Sequence, residues 1–174
     1  MSHPPWRHAA VAAVAAATVA AGLIRFGWGA RGAIEACLAG VLVILSAVDL
    51  DRRLLPNRIV LPAAGLILGA QIVFFPGRWA EWLGAAVASA AFLALPLLFV
   101  RGGLGMGDIK LGFLIGAGLG RATLPALLYG SLSAVPVALY LLITRGRAAR
   151  RVAIAYGPFL SLGALIGMLT TNTL

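Results

Sequence analysis

Acidic residues are scarce in this chain: five Asp and Glu stand against fourteen Lys and Arg in 174 residues, for a formal charge of +9. Charge of either sign is thin, at 11% of residues, while hydrophobic residues reach 61% and the mean hydropathy is +1.00. A water-soluble globule carries about a quarter of its residues charged, so that class is excluded. A pI near 11.5 would invite a nucleic-acid partner. None is expected, because the basic residues stand singly or in short clusters between apolar runs rather than along one face. The single cysteine, Cys37, can form neither an internal disulfide nor a Cys-x-x-Cys zinc site, and its place inside an apolar run predicts a packing residue. His3 and His8 are the two histidines and both lie near the amino terminus. With no His/Cys/Asp/Glu cluster there is no basis for a metal, and no cofactor is expected.

Apolar runs are what the chain does have. They predict an all-α, polytopic transmembrane helix bundle of six to seven hydrophobic segments, forming one membrane-embedded domain over residues 1–174. The segments are 9–24, 33–50, 59–75, 82–100, 111–120, 122–144 and 152–174, the last two read as full-length spans. The first, preceded by Arg7 and rich in small residues, reads either as a cleavable signal peptide or as a retained helix, and we favour the retained helix. The fifth is only about two thirds of a crossing, as expected of a short or tilted helix surrounded by protein. Trp79 and Trp82 stand where interfacial aromatics belong.

Orientation follows from the loops. With a cytoplasmic amino terminus and seven crossings, one side holds Arg7, Arg52, Arg53, Arg58, Arg101, Lys110, Arg145, Arg147, Arg150 and Arg151, and the other holds Arg25, Arg31, Arg78 and Arg121. Ten against four marks the first side as cytoplasmic. It also places all three aspartates at the cytoplasmic boundary and Glu35 and Glu81 at the outer one.

Asp108 lies in the glycine-rich turn Gly102-Gly103-Leu104-Gly105-Met106-Gly107-Asp108-Ile109-Lys110, between two apolar segments. An ionised carboxylate at membrane depth costs roughly 2.5–3.5 kcal/mol on insertion scales, so such residues usually face a cavity, a partner or a substrate path. Gly105 and Gly107 would let the turn lie beside an extended peptide, although glycine-rich turns also serve as plain interhelical loops. Asp49 ends the second segment, on the same face, followed by Asp51, Arg52, Arg53, Leu54, Leu55, Pro56 and Asn57. Asp49 and Asp108 could converge. Like charges held close cannot both ionise easily, so one carboxyl would stay protonated while the other activates water. Structural readings stand beside this: Asp49 could cap a turn or pair with Arg53, Asp51 could pair with an arginine or be solvated, Lys110 could snorkel or pair with an acid, and Pro56 fixes the backbone entering the next helix. The Arg145 to Arg151 cluster reads as a topology anchor, with acidic lipid or a partner as the alternative.

Three stretches in order carry a resemblance: Asp49-Leu50 with Leu55-Pro56-Asn57, then Gly105-Met106-Gly107-Asp108-Ile109-Lys110-Leu111, then Tyr156-Gly157-Pro158-Phe159-Leu160. Together, over residues 36–170, they closely resemble the type IV prepilin peptidase family of GxGD intramembrane aspartyl proteases. The resemblance implies cleavage of the basic leader of pilin-like precursors at the cytoplasmic face of the plasma membrane, with Asp49 and Asp108 as the catalytic pair and Gly105, Gly107, Lys110, Pro56 and Asn57 binding substrate or supporting the loops. Longer members carry a methyltransferase domain with paired cysteines. This chain has neither, and so resembles a short, peptidase-only form. Its expected partners are a pilin-like precursor and membrane lipid. The main alternative is a small cation- or proton-coupled transporter using the same two aspartates; a non-catalytic assembly subunit is a third reading.

Overall fold

A computed structural model describes residues 5–99, 105–145 and 155–170. Among them are seven α-helices and no strand: α1 (Pro5–Phe26), α2 (Ala30–Arg52), α3 (Asn57–Phe74), α4 (Trp79–Phe99), α5 (Met106–Leu119), α6 (Thr123–Arg145) and α7 (Gly157–Thr170). Short 3₁₀ turns at Pro76–Arg78 and Gly120–Ala122 join α3 to α4 and α5 to α6. Four stretches are long and apolar enough to cross a membrane: Ala9–Phe26, Ala30–Arg52, Asn57–Phe74 and Met106–Arg145, the last comprising α5, the 3₁₀ turn and α6. In hydrocarbon each backbone N–H and C=O must be satisfied within its own segment, and helices meet that demand. The fold is an all-α transmembrane bundle.

Helix α5 is its centre. At 14 residues it is about 21 Å long, too short to cross a bilayer of about 30 Å unaided. It is tolerable because it is enclosed: α2, α3, α4, α6 and α7 all pack on it, and Leu111, Leu114, Ile115 and Ala117 are fully buried. Small residues allow that closeness. Gly112 of α5 faces Leu93 of α4, and Gly116 faces Ala85 and Ser89, where a Cβ on either glycine would collide. The Ser89 hydroxyl donates to the Gly112 carbonyl at 2.7 Å, an interhelical bond of a kind that contributes about 0.6 kcal/mol on average in membranes. Gly163 and Gly167 of α7 meet Ala126 and Gly130 of α6 in the same way. At the end of the bundle where α5 finishes, Gln71 of α3, only 1% exposed, donates to the Gly118 carbonyl at 3.0 Å.

Several expectations are corrected. Helix α5 begins at Met106 rather than Leu111, so Gly107, Asp108 and Lys110 occupy its first turns instead of a preceding loop. The described part of the last segment becomes helical at Gly157, with Ala155 and Tyr156 outside the helix, rather than at Val152. Residues 152–154 and 171–174 lie outside the described residues, as do Gly102, Gly103, Leu104, Arg101, Arg147, Arg150 and Arg151. Cys37 is exposed on the outer face of α2, so it is not a packing residue of the core; Ala36 and Leu38 beside it hold that role, both fully buried.

Candidate active site

The last turn of α2 carries Asp49, which is 5% exposed. The helix stops four residues on because Arg53 takes a left-handed conformation, φ 51° and ψ 31°, while its N–H donates to the Asp49 carbonyl at 2.7 Å. A non-glycine residue there costs about 1–2 kcal/mol. The chain then crosses Leu54 and Leu55 to Pro56, which caps α3 and whose carbonyl accepts from the N–H groups of Ile59 and Val60.

Helix α5 starts directly against this crossing. Gly105 is its N-cap in extended conformation, and Asp108, three residues on, closes the first turn twice. Its backbone N–H donates to the Gly105 carbonyl at 3.0 Å, and its carboxylate accepts from the Gly105 N–H at 3.3 Å. An acid in a first helical turn is electrostatically favoured by the unpaired N–H groups there. Gly107 has no positive φ. Its requirement is space, since a Cβ at that position would lie 2.9 Å from the Leu55 Cβ. Lys110, one turn along, donates from Nζ to Asn57 Oδ1 at 2.7 Å and so ties α5 to the start of α3. Among the described residues, the hydrogen-bond partner of Lys110 is thus an amide rather than an acid.

Asp49, Asp108, Gly105, Gly107, Lys110, Pro56 and Asn57 all line one cavity of about 520 Å³. Arg52, Arg53, Leu54, Leu55 and Met106 complete its wall. The carboxylates, 59 positions apart in sequence, come from the end of one helix and the start of another and line the same cavity. Asp51 is exposed on the adjoining surface and does not line the cavity.

The Tyr156–Leu160 stretch also reaches the site, through a glycine given no role from the sequence. Gly157, the first residue of α7, donates its backbone N–H to Asp49 Oδ2 at 3.0 Å. That donor would otherwise be one of the orphans of a helix start, and here a carboxylate occupies the position anions favour. A Cβ at 157 would sit 2.7 Å from the same oxygen, so any side chain there would force the carboxylate to shift. The signal was present in Gly157-Pro158, the pairing of a small residue with a proline that opens a helix. Tyr156 anchors this start from the other side, donating to Ser131 Oγ of α6 at 2.9 Å.

The profile of the type IV leader peptidase family matches residues 36–143. Among curated relatives, a prepilin leader peptidase/N-methyltransferase of Bacillus subtilis strain 168 is 31% identical over 158 residues, covering 90% of this chain and 63% of the relative. The protein of the same name from Xanthomonas campestris is 32% identical over 157 residues, covering 86% and 54%. That from Escherichia coli K12 is 33% identical over 159 residues, covering 88% and 69%. The chain thus spans about half to two thirds of the length of the curated relatives it matches. No solved structure matches it.

Proposed function

The chain belongs to the type IV leader peptidase family, and we propose that it is an intramembrane aspartic endopeptidase that removes the basic leader of pilin-like precursors at the cytoplasmic face of the plasma membrane. The observation that carries this reading is the meeting of Asp49 and Asp108, from separate helices, in one cavity. One carboxyl, protonated, donates to the oxygen of the scissile carbonyl. The other, ionised, takes a proton from water as the water oxygen bonds to the carbonyl carbon; the C–N bond then breaks and the amine leaves with a proton. Neither carboxyl need become a covalent intermediate.

The remaining wall residues take supporting parts in this reading. Gly107 lets α5 close on Leu55, and the Lys110–Asn57 bond holds the starts of α5 and α3 together, which fixes Asp108 relative to the 53–56 crossing. Gly105 holds the Asp108 carboxylate through its N–H. Arg52, Arg53 and Lys110 line the same cavity. The basic residues of a leader therefore sit beyond the cavity, toward the cytoplasm, and only the scissile segment reaches the acids. The position of both acids at one end of the bundle supports hydrolysis over cation transport, which calls for acids along a path through the membrane.

Co-expression with a candidate pilin-like precursor tests the reading. The expected result is a gel shift to the mature form with the wild-type chain and none with Asp49→Asn or Asp108→Asn. Cleavage that persists in both variants would remove the aspartyl mechanism.

A further inference from the structure

At the end of the bundle opposite Asp49 and Asp108, a groove of about 310 Å³ opens between α4 and α6. Ala85, Ala88 and Phe92 form its α4 wall and Leu124 and Leu127 its α6 wall. The α4 residues recur at helical spacing over seven positions, so the apolar part runs about 10 Å along the helix axis. Its mouth is different in kind. Thr123 lines it at 6% exposure with a hydroxyl that has no hydrogen-bond partner. Arg121, its side chain 80% exposed, lines it too. The Ser89 hydroxyl in the same groove is already engaged, donating to the Ala86 and Gly112 carbonyls.

Charge at the mouth is unbalanced. Glu81 accepts from Arg78 on both oxygens, at 2.9 and 3.1 Å, and its Oε2 pairs also with Arg121 at 3.3 Å. Two guanidiniums share one carboxylate, which leaves one positive charge in excess. Trp79, half exposed in the first turn of α4, marks this level as the membrane–water interface. A cation and an unsatisfied hydroxyl at interface depth, with an apolar channel leading inward from them, describe the complement of an amphiphile with an anionic head.

We propose that this groove holds an acyl chain of an anionic glycerophospholipid, with the phosphate between the Arg121 guanidinium and the Thr123 hydroxyl. The phosphate supplies acceptors to both groups, and its charge balances the excess left by the Arg78–Glu81–Arg121 cluster. Zwitterionic lipid would fill the channel without that balance. A helix from a second copy would fill it without satisfying either polar group.

Native mass spectrometry of the full purified chain, delipidated and titrated in parallel with phosphatidylglycerol and phosphatidylcholine, tests the proposal. Wild type should retain one phosphatidylglycerol in preference to phosphatidylcholine. Arg121→Gln should lower that preference about fivefold, the effect expected of one interfacial basic residue, Thr123→Val should weaken retention of both lipids by removing a donor to the phosphate they share, and Ala88→Trp should block retention of either lipid by filling the channel. Equal retention of the two lipids by wild type would overturn the proposal. So would a preference that survives both Arg121→Gln and Ala88→Trp, or a dimer that Ala88→Trp alone abolishes, which would give the groove to a second copy. Should Ala88→Trp fail to accumulate, the Arg121→Gln and Thr123→Val titrations decide the matter by themselves.

Discussion

The backbone N–H of Gly157 donates to the carboxylate of Asp49 across 108 positions of sequence, at 3.0 Å, where the start of α7 meets the end of α2. The contact makes α7 part of the site although none of its residues lines the cavity shared by Asp49 and Asp108. One Asp49 oxygen is fixed by a donor that cannot rotate, so the carboxylate plane is set by the packing of two helices.

That dependence predicts the effect of a single methyl group. Gly157→Ala would place a Cβ 2.7 Å from Asp49 Oδ2, and the carboxylate must then shift. Displacing a reacting group by about 1 Å costs on the order of 10²-fold in rate. Leader cleavage by Gly157→Ala should fall by that order while the protein still accumulates in the membrane. Gly105→Ala is the control: its Cβ would meet Asp108 Oδ2 at 3.6 Å, ordinary contact, and φ is −78°. It should cleave nearly as well as wild type, and a reversed ranking would show that Asp49 is not held through α7.

Substitution at the aspartates separates the pair from its neighbour. Asp49→Asn and Asp108→Asn should each reduce cleavage by about 10²–10⁴-fold, the usual contribution of a positioned acid or base. Asp51→Asn, on the surface outside the cavity, should keep most activity. Glutamate should fail at 49 and 108, since the added methylene exceeds the roughly 0.5 Å tolerance of a preorganised site. An inactive Asp51→Asn beside an active Asp49→Asn would exchange their roles.

Gly107 and Leu55 form a test of packing rather than chemistry. Gly107→Val should strongly reduce cleavage, because even a Cβ approaches the Leu55 side chain to 2.9 Å and overpacking of this kind costs about 1–3 kcal/mol. Combining the milder Gly107→Ala with Leu55→Gly, which removes the Cβ that the new methyl would meet, makes room and should restore part of the activity lost by Gly107→Ala alone. A double variant no better than Gly107→Ala would return the glycine to the role first expected of it, close approach to a substrate backbone.

Hydrophobic runs made most of the bundle legible, because a membrane segment must be both apolar and helical. Helix ends were less so. Glycines at 105 and 107 are weak helix formers, which hid the start of α5 at Met106; there the unpaired N–H groups of the first turn and the reciprocal Asp108–Gly105 bonds outweigh propensity. Cys37 misled because an apolar run has an inside and a lipid-facing side, and hydropathy alone does not separate them. The candidate site residues could be named, since charge is rare enough in this chain for each acid to need a reason. Their partners could not: the Gly157–Asp49 and Lys110–Asn57 bonds span 108 and 53 positions, and only the packing of the helices brings them together.

Orientation joins this site to the substrate proposed for it. The ten-to-four distribution of Lys and Arg predicts that Arg52, at the end of α2, faces the cytoplasm and that Arg78, in the turn between α3 and α4, faces the opposite side. The structure puts the α2 end and the α5 start together at one end of the bundle, with Arg52 on the wall of the cavity that holds both aspartates. A pilin-like precursor has a basic leader retained in the cytoplasm by the same charge rule, followed by an apolar helix in the bilayer, so its scissile bond lies at the inner interface. In the proposed reaction Asp49 and Asp108 would have to reach that bond from the cytoplasmic side. In a Cys37→Ala background, Arg52→Cys should resist a membrane-impermeant thiol reagent in intact cells and react after permeabilisation, whereas Arg78→Cys should react in intact cells. The reverse pattern would set the cavity on the far side of the membrane from any basic leader, and leader cleavage by this pair of acids would lose its geometry.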